Sequence, residues 1–362
     1  MLRPIPSVLA LLAAMLITAP AIAADIDNNW SGDGSDSGGL RDGYPTEPGD
    51  WAGLGDKDDP ITMQTGVRYW YSIGSQNFTD AAGGFSSGDT SQTGETYLRI
   101  EDHSTNTYAK VLAGYAFNIT GNYANPYSTG GVSDGHVGYI GADIGWNMWG
   151  DNHGSGLGAL VGYMYWNNSP NTNRAAYTTA NSASDVSYDQ TTGQTSLPMD
   201  STPDNLDVHM LRLGVQGKAN LGFFDITAEA AAVPYAAVNG VIGADQTSTI
   251  LDHSVYVPGN VASIKASPTD INGWGYGAMG EVNVDMHPTD HLTLGLGARL
   301  WYLQGTADAT FTQATVGNPS SDGTTPPNFD IPPTFSKQSY IEVANPFHMM
   351  RYGLMANIGY TF

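Results

Sequence analysis

The sequence predicts an all-β fold, a transmembrane antiparallel up-and-down β-barrel of about ten strands with short turns at one end and long loops at the other. Three observations predict it. First, the last fourteen residues alternate. Met350, Tyr352, Leu354, Ala356, Ile358, Tyr360 and Phe362 are apolar, and the positions between them, Met349 to Thr361, are mostly small or polar. A period of two means a strand with one greasy face and one wet face. Second, the chain opens with an export signal and then lacks any apolar run of the roughly 18 residues that a spanning helix needs. Third, its connections sort by parity into short and long.

Residues 1–23 are read as a secretory signal peptide: Arg3 in a short basic region, an apolar run from Val8 to Leu16, and Ala21-Ile22-Ala23 before the cut. There is no cysteine, which excludes a lipoprotein anchor and a disulfide framework. An exported chain that enters a membrane without helices must close its sheet, because hydrocarbon cannot satisfy open strand edges. Residues 24–60 form an acidic, Gly/Asp-rich segment; Asp25 to Pro60 holds ten acids, two bases and eight glycines. With no hydrophobic period it is expected to be disordered on the periplasmic side. Asp33-Gly34-Ser35-Asp36-Ser37-Gly38 lacks the spaced ligands and closing glutamate of a calcium loop and reads as linker.

The barrel is assigned to residues 61–362. Ten segments carry the alternation: 62–76, 93–102, 105–117, 136–149, 155–168, 206–218, 222–235, 272–286, 290–304 and 349–362. In the ninth, Leu292, Leu294, Leu296, Ala298, Leu300 and Tyr302 oppose Thr293, Gly295, Gly297 and Arg299. In the eighth, Trp274, Tyr276, Ala278, Val282, Val284 and Met286 oppose Gly275, Gly277, Glu281, Asn283 and Asp285. The connections after even-numbered segments are short, and those after odd-numbered ones span 16 to 44 residues. Short periplasmic turns and long extracellular loops are the outer-membrane pattern. Tyr69, Tyr71, Tyr115, Phe117, Tyr163, Tyr165, Trp274, Tyr276, Tyr302 and Tyr352 are expected outward at the loop-end interface, with Trp146, Phe224, Tyr360 and Phe362 at the other.

The formal charge of −22 is unevenly spread. Inward positions hold Arg68, Arg99, Lys110, Arg212, Lys218, Arg299 and Arg351 against Glu101, Asp143, Asp225, Glu229, Glu281 and Asp285. Balanced charge in a narrow lumen favours mutual pairing, since unpaired buried charge costs several kcal/mol; a charge-lined conduction path is the alternative. The acidic remainder argues against nucleic acid as a partner.

The ten-strand layout and the C-terminal Gly359-Tyr360-Thr361-Phe362 resemble the omptin-like outer-membrane barrels. Phe224-Asp225-Ile226-Thr227, Asn272-Gly273-Trp274-Gly275 and Gly297-Ala298-Arg299-Leu300-Trp301-Tyr302-Leu303 look closest to poorly characterised omptin-shaped proteins of alphaproteobacteria that lack the protease motif. The resemblance implies an endopeptidase only where the family's groups are kept: an aspartate pair in the second loop and Asp-x-His in the fourth. Here the second loop, Asn118 to Gly135, offers Asp134 alone, and the fourth offers adjacent Asp252-His253. Asp134-Gly135-His136 and Asp207-Val208-His209 do have the spacing, but strand parity points both pairs at the outer wall. No Gly-x-Ser-x-Gly elbow, phosphate loop or zinc-spaced cluster is present.

No catalytic, cofactor-binding or metal site is therefore expected; Asp134, Asp252 and His253 are the residues an enzymatic alternative would use. The expected function is a non-enzymatic outer-membrane barrel displaying long polar loops, for surface recognition, adhesion or envelope structure. An omptin-like endopeptidase and a narrow porin are the alternatives. Expected partners are outer-membrane lipids and lipopolysaccharide, and the barrel-assembly machinery through the strand ending at Phe362. The protein is expected to be a monomer in a Gram-negative outer membrane with both termini periplasmic.

Overall fold

The computed structural model describes residues 60–79, 84–124, 129–150, 155–171, 174–242, 250–251, 261–317, 319 and 330–362. The expected signal peptide and all but Pro60 of the acidic segment lie outside the described residues.

Ten antiparallel strands pair in sequence order and close into a ring. They are β1 (Ile61–Phe78), β2 (Phe85–Asp102), β3 (Thr107–Ala124), β4 (Gly135–Gly150), β5 (Gly156–Pro170), β6 (Asn205–Asn220), β7 (Phe224–Ile242), β8 (Thr269–Met286), β9 (Leu292–Gly317) and β10 (Phe335–Thr361). Closure is made by β10 against β1, with Tyr69 opposite Ala356 and Gly74 opposite Arg351. A closed ring leaves no edge within the barrel wall, which is what strands need where no water can pair their backbone.

The two-residue period sets the faces as the sequence predicts. Leu296 and Leu354 stand 69% exposed on the outer wall, while Arg299 and Arg351 are 3% and 1% exposed inside. Tyr69, Tyr71, Tyr115, Phe117, Trp274, Tyr276 and Tyr352 are exposed towards the loop end; Trp146, Phe224, Tyr360 and Phe362 are exposed towards the turn end. Trp149, Leu221 and Phe223 add to the turn-end row. Leu221 lies in a short connection, while Trp149 and Phe223 stand at the ends of their segments out of phase with Trp146 and Phe224, Trp149 after a bulge.

The strands are longer than their hydrophobic pattern. β2 begins at Phe85 rather than 93, with Phe85 opposite Phe78, so the first connection spans only 79–84. β9 runs to Gly317 and β10 starts at Phe335, making a hairpin that stands well above the aromatic row. The alternation lapses or reverses in these extensions because they leave the apolar band. In β9, Ala307, Ala309, Ala314 and Val316 are buried while Asp308 and Thr310 are exposed, the soluble pattern of apolar inside and polar outside. A bulge between Ala307 and Ala309, with Ala344 at φ +57, marks the change.

Much of the predicted loop length is therefore folded. Ala180, Val186, Leu197, Ala262, Ile264, Ala314 and Val316 form a second apolar core at the loop end, with Met199, Ala266 and Phe335 packed on it. It draws together the β5–β6 connection, the strand Val261–Lys265 paired to β9, and the β9–β10 hairpin. Lys337 Nζ donates to Asn181 Oδ1 at 3.1 Å across this head. Within it, the Asp185 carboxylate accepts the Asn181 and Ser182 backbone N–H groups at 2.8 and 3.1 Å, and these bonds hold it below the usual carboxylate range.

Candidate functional site

The barrel interior is built in layers that β1 climbs from turn end to loop end. Near the turn end lies a cavity of about 240 Å³, lined by six carboxylates and four Lys/Arg side chains. Arg99 pairs with Glu101 at 2.5 Å, and Lys218 with Asp225 at 3.3 Å, on its wall. Arg99 also lies over the Tyr108 ring, 3.9 Å from its centroid.

Above that come two neutral quartets of charge. In one, Arg68 and Arg299 each bridge Glu95 and Glu281, at 3.2 and 3.2 Å for Arg68 and 2.6 and 2.7 Å for Arg299. Tyr139 donates to Glu95 at 2.6 Å. In the other, Lys110 contacts Asp143 at 3.5 Å and Glu229 at 2.6 Å, while Arg212 contacts Asp143 at 2.7 Å and also bonds Glu229. Glu229 and Glu281 sit directly opposite on β7 and β8, so the quartets share a boundary of like charge. That juxtaposition is tolerable because each carboxylate has two cationic partners.

One step further up, Trp70, Tyr139, Trp166 and Trp301 pack edge to face, with centroids 4.8 to 5.9 Å apart. All four are at most 4% exposed. This layer closes the lumen between the turn-end cavity and the loop end, as side chains fill other small barrels. Above it Arg351 grips Asp89 with two bonds of 2.9 Å and reaches Ser72, Ser91 and Asn168. Phe78, Leu206, Val238, Ile271 and Phe347 then fill the top.

All thirteen charged side chains predicted for the lumen face inward, and each of the seven Lys and Arg residues pairs with a carboxylate. Sequence reasoning missed Glu95 and Asp89. Glu95 shares the inward face of β2 with Tyr97, Arg99 and Glu101, so strand parity could have found it. Asp89 lay in a stretch read as loop, where no apolar period marked the strand.

The residues of the enzymatic alternative are only partly placed. Asp134 is exposed on a tight turn before β4, with φ +64, and its backbone bonds Ile119 and Asn171. Asp252 and His253 lie outside the described residues. The two Asp-x-His pairs stand on the outer wall as parity predicts. His136 Nδ1 meets the Tyr115 hydroxyl at 2.7 Å, and His209 Nδ1 meets that of Tyr163 at 2.6 Å. Asp207 accepts from Tyr165 at 2.5 Å and Asn167 at 2.9 Å. Both histidines are thus committed to the aromatic row facing away from the lumen.

No protein-family profile and no curated protein matches the chain. Among solved structures, the outer-membrane protease OmpT of Escherichia coli is similar at 9% identity and TM-score 0.47, covering 84% of this chain and 98% of that one. The translocator domain of the autotransporter NalP of Neisseria meningitidis is 13% identical with TM-score 0.31, covering 82% and 88%. A FadL homologue of Pseudomonas aeruginosa is 9% identical with TM-score 0.30, covering 83% and 90%. The fold rests on the strand pairing of this chain itself.

Proposed function

We propose that this protein is an omptin-like outer-membrane barrel of a Gram-negative bacterium that presents a folded head for surface recognition, with no enzymatic role and no open pore. One observation carries the reading: the lumen is closed by paired charges and packed rings, while three described segments at the loop end build a second apolar core. A chain that spends its loops on a folded outer platform, above a filled barrel, is organised for display. Two rows of outward aromatics bounding an apolar wall support the membrane setting, because such rings settle at headgroup level. Residues 1–23, expected to be a signal peptide, and the apolar–polar alternation of β10 support export and assembly into the outer membrane. The short turns and both termini would then be periplasmic, and the partners of the wall would be outer-membrane lipid and lipopolysaccharide around a single barrel.

The experiment is site-specific display. An epitope inserted after Thr192, in an exposed turn of the head, should be labelled by antibody on intact cells. One inserted between Ser104 and Thr105 should be labelled only after the outer membrane is opened. The reverse pattern would overturn the orientation. Purified protein in planar bilayers should show little steady conductance. Stable, ion-selective openings altered by Arg299→Gln or Glu281→Gln would favour the narrow porin instead.

A further inference from the structure

Above the barrel wall β10 keeps its pairing to β9 from Phe335 onward, while its pairing to β1 ends at Phe78 opposite Phe347. The upper part of β10 is therefore a strand edge that stands free among the described residues. Ser336 to Ile341 are all exposed. An exposed edge offers a row of unpaired N–H and C=O groups, and natural proteins blunt such edges with bulges, proline or lysine. Here those devices sit at the two ends only. At the base, Pro346 follows the Ala344 bulge, the Ala344 N–H donates to Asp308 and the Asn345 amide caps the Glu342 carbonyl. At the tip Lys337 is held by Asn181. Among the described residues, the stretch Gln338 to Ile341 is left clear.

We propose that this edge is a docking site for an extended peptide with alternating apolar and basic side chains, which adds as a further strand beside β10. The bare ladder groups supply the recognition of a peptide backbone. The side chains specify its chemistry. Ile341 and Val343 are 67% and 69% exposed, an apolar strip at the edge. Beside it the outer face carries exposed Asp270 and Asp308, with Asp270 and Ile341 both opposite Thr310 across the sheet. Outward-facing Lys and Arg are absent from the described ring strands apart from Lys337 at the tip. Among the described residues no Lys or Arg pairs with Asp308, one strand from the strip, or with Asp270, one strand beyond; this acidic outer face complements alternating apolar and cationic groups, and disfavours acidic peptides.

The inference names the partner class of the display reading and rests on it for its biological setting alone. Binding is measured on detergent-folded protein, so it can fail while the epitope result stands, or the reverse. The probe is a fluorescein-labelled decapeptide of alternating valine and lysine. It should bind at least tenfold more tightly than a peptide of the same length with proline at alternate positions, which cannot complete a ladder. Ile341→Lys leaves the backbone unchanged and should weaken binding tenfold or more. Thr312, opposite Ser339, turns its backbone to Ala266 and Ser267, so Ser339→Pro removes a donor facing the free edge and Tyr340→Pro one facing β9. Ser339→Pro should keep the folded, heat-modifiable gel mobility while losing the probe. Equal binding of the proline peptide, indifference to all three variants, or no binding of the probe would overturn the proposal. A dimer seen by sedimentation and abolished by the same variants would also overturn it, by giving the edge to a second copy.

Discussion

Glu95 takes bonds from Arg68, Arg299 and Tyr139 and is fully enclosed, so it joins the charged layer of the lumen to the aromatic one. Removing one partner of a buried ion pair leaves the others uncompensated and costs about 3–5 kcal/mol. Glu95→Gln should lower unfolding stability by that order in urea titrations from lipid vesicles. Adding Arg299→Gln should cost less than the two single changes summed, since each removes the other's stranded partner. A Glu95→Gln change worth under about 1 kcal/mol would show that water relieves the layer. Asp185 makes a smaller, pH-dependent case on the head. Its lowered carboxyl keeps the Asn181 and Ser182 bonds intact above the ordinary carboxylate range, and they are lost as pH falls through the lowered value. Amide exchange at Asn181 and Ser182, relative to intrinsic rates, should stay flat above about pH 4 and rise below it. A rise centred near neutral pH would assign the protection to another group. Parity alone placed Arg299, Glu281 and Arg351 in the lumen from the sequence. It could not say which acid each would meet, because partners come from strands distant in the chain, as Arg351 meets Asp89.

At the scale of elements, the apolar band decides what was legible. Where lipid lies on one side and a polar lumen on the other, period two is strong, and the register follows from it. Leu292 lies opposite Tyr360 and Leu300 opposite Tyr352, so Leu296 falls midway between the two aromatic rows, 69% exposed and flanked by Val284 and Ala356. Leu296→Arg should therefore destabilise the inserted barrel by roughly 2–4 kcal/mol, the mid-membrane value, in vesicle unfolding measurements. Leu296→Ala provides the baseline for lost apolar contact. A change no larger than that baseline would move Leu296 out of the hydrocarbon. The extensions of β2, β9 and β10 escaped sequence reading for the matching reason. In water on both sides, residues such as Ser87, Asp89 and Ser91 face inward as readily as apolar ones, and only pairing with neighbouring strands makes them strand. The head was equally hidden, because its core is assembled from small groups such as Ala180, Ala262 and Ala314 in three separate segments.

For the molecule as a whole, the open question is whether the head works as a catalyst or as a platform. Hydrolysis of omptin type needs a carboxylate and an imidazole within hydrogen-bond reach, about 2.6–3.2 Å or one water apart, with room for a peptide between them and their counterparts. On the described surface the histidines are spent elsewhere: His136 and His209 on tyrosines of the outer wall, and His348 on Asn77 at 2.8 Å. Asp134 sits on an outward turn with solvent around it. The couple that would have to act is Asp252 with His253, adjacent in sequence. The sequence there keeps no Asp-x-His spacing. Detergent-refolded protein mixed with lipopolysaccharide and dibasic peptides should thus leave the peptides intact over hours, by mass spectrometry. An Asp252→Asn/His253→Ala variant should behave identically. Cleavage after basic residues that vanishes in that variant would make the head a protease and set the display reading aside. Cleavage that persists in it, yet disappears in Asp134→Asn, would place the chemistry on the second loop.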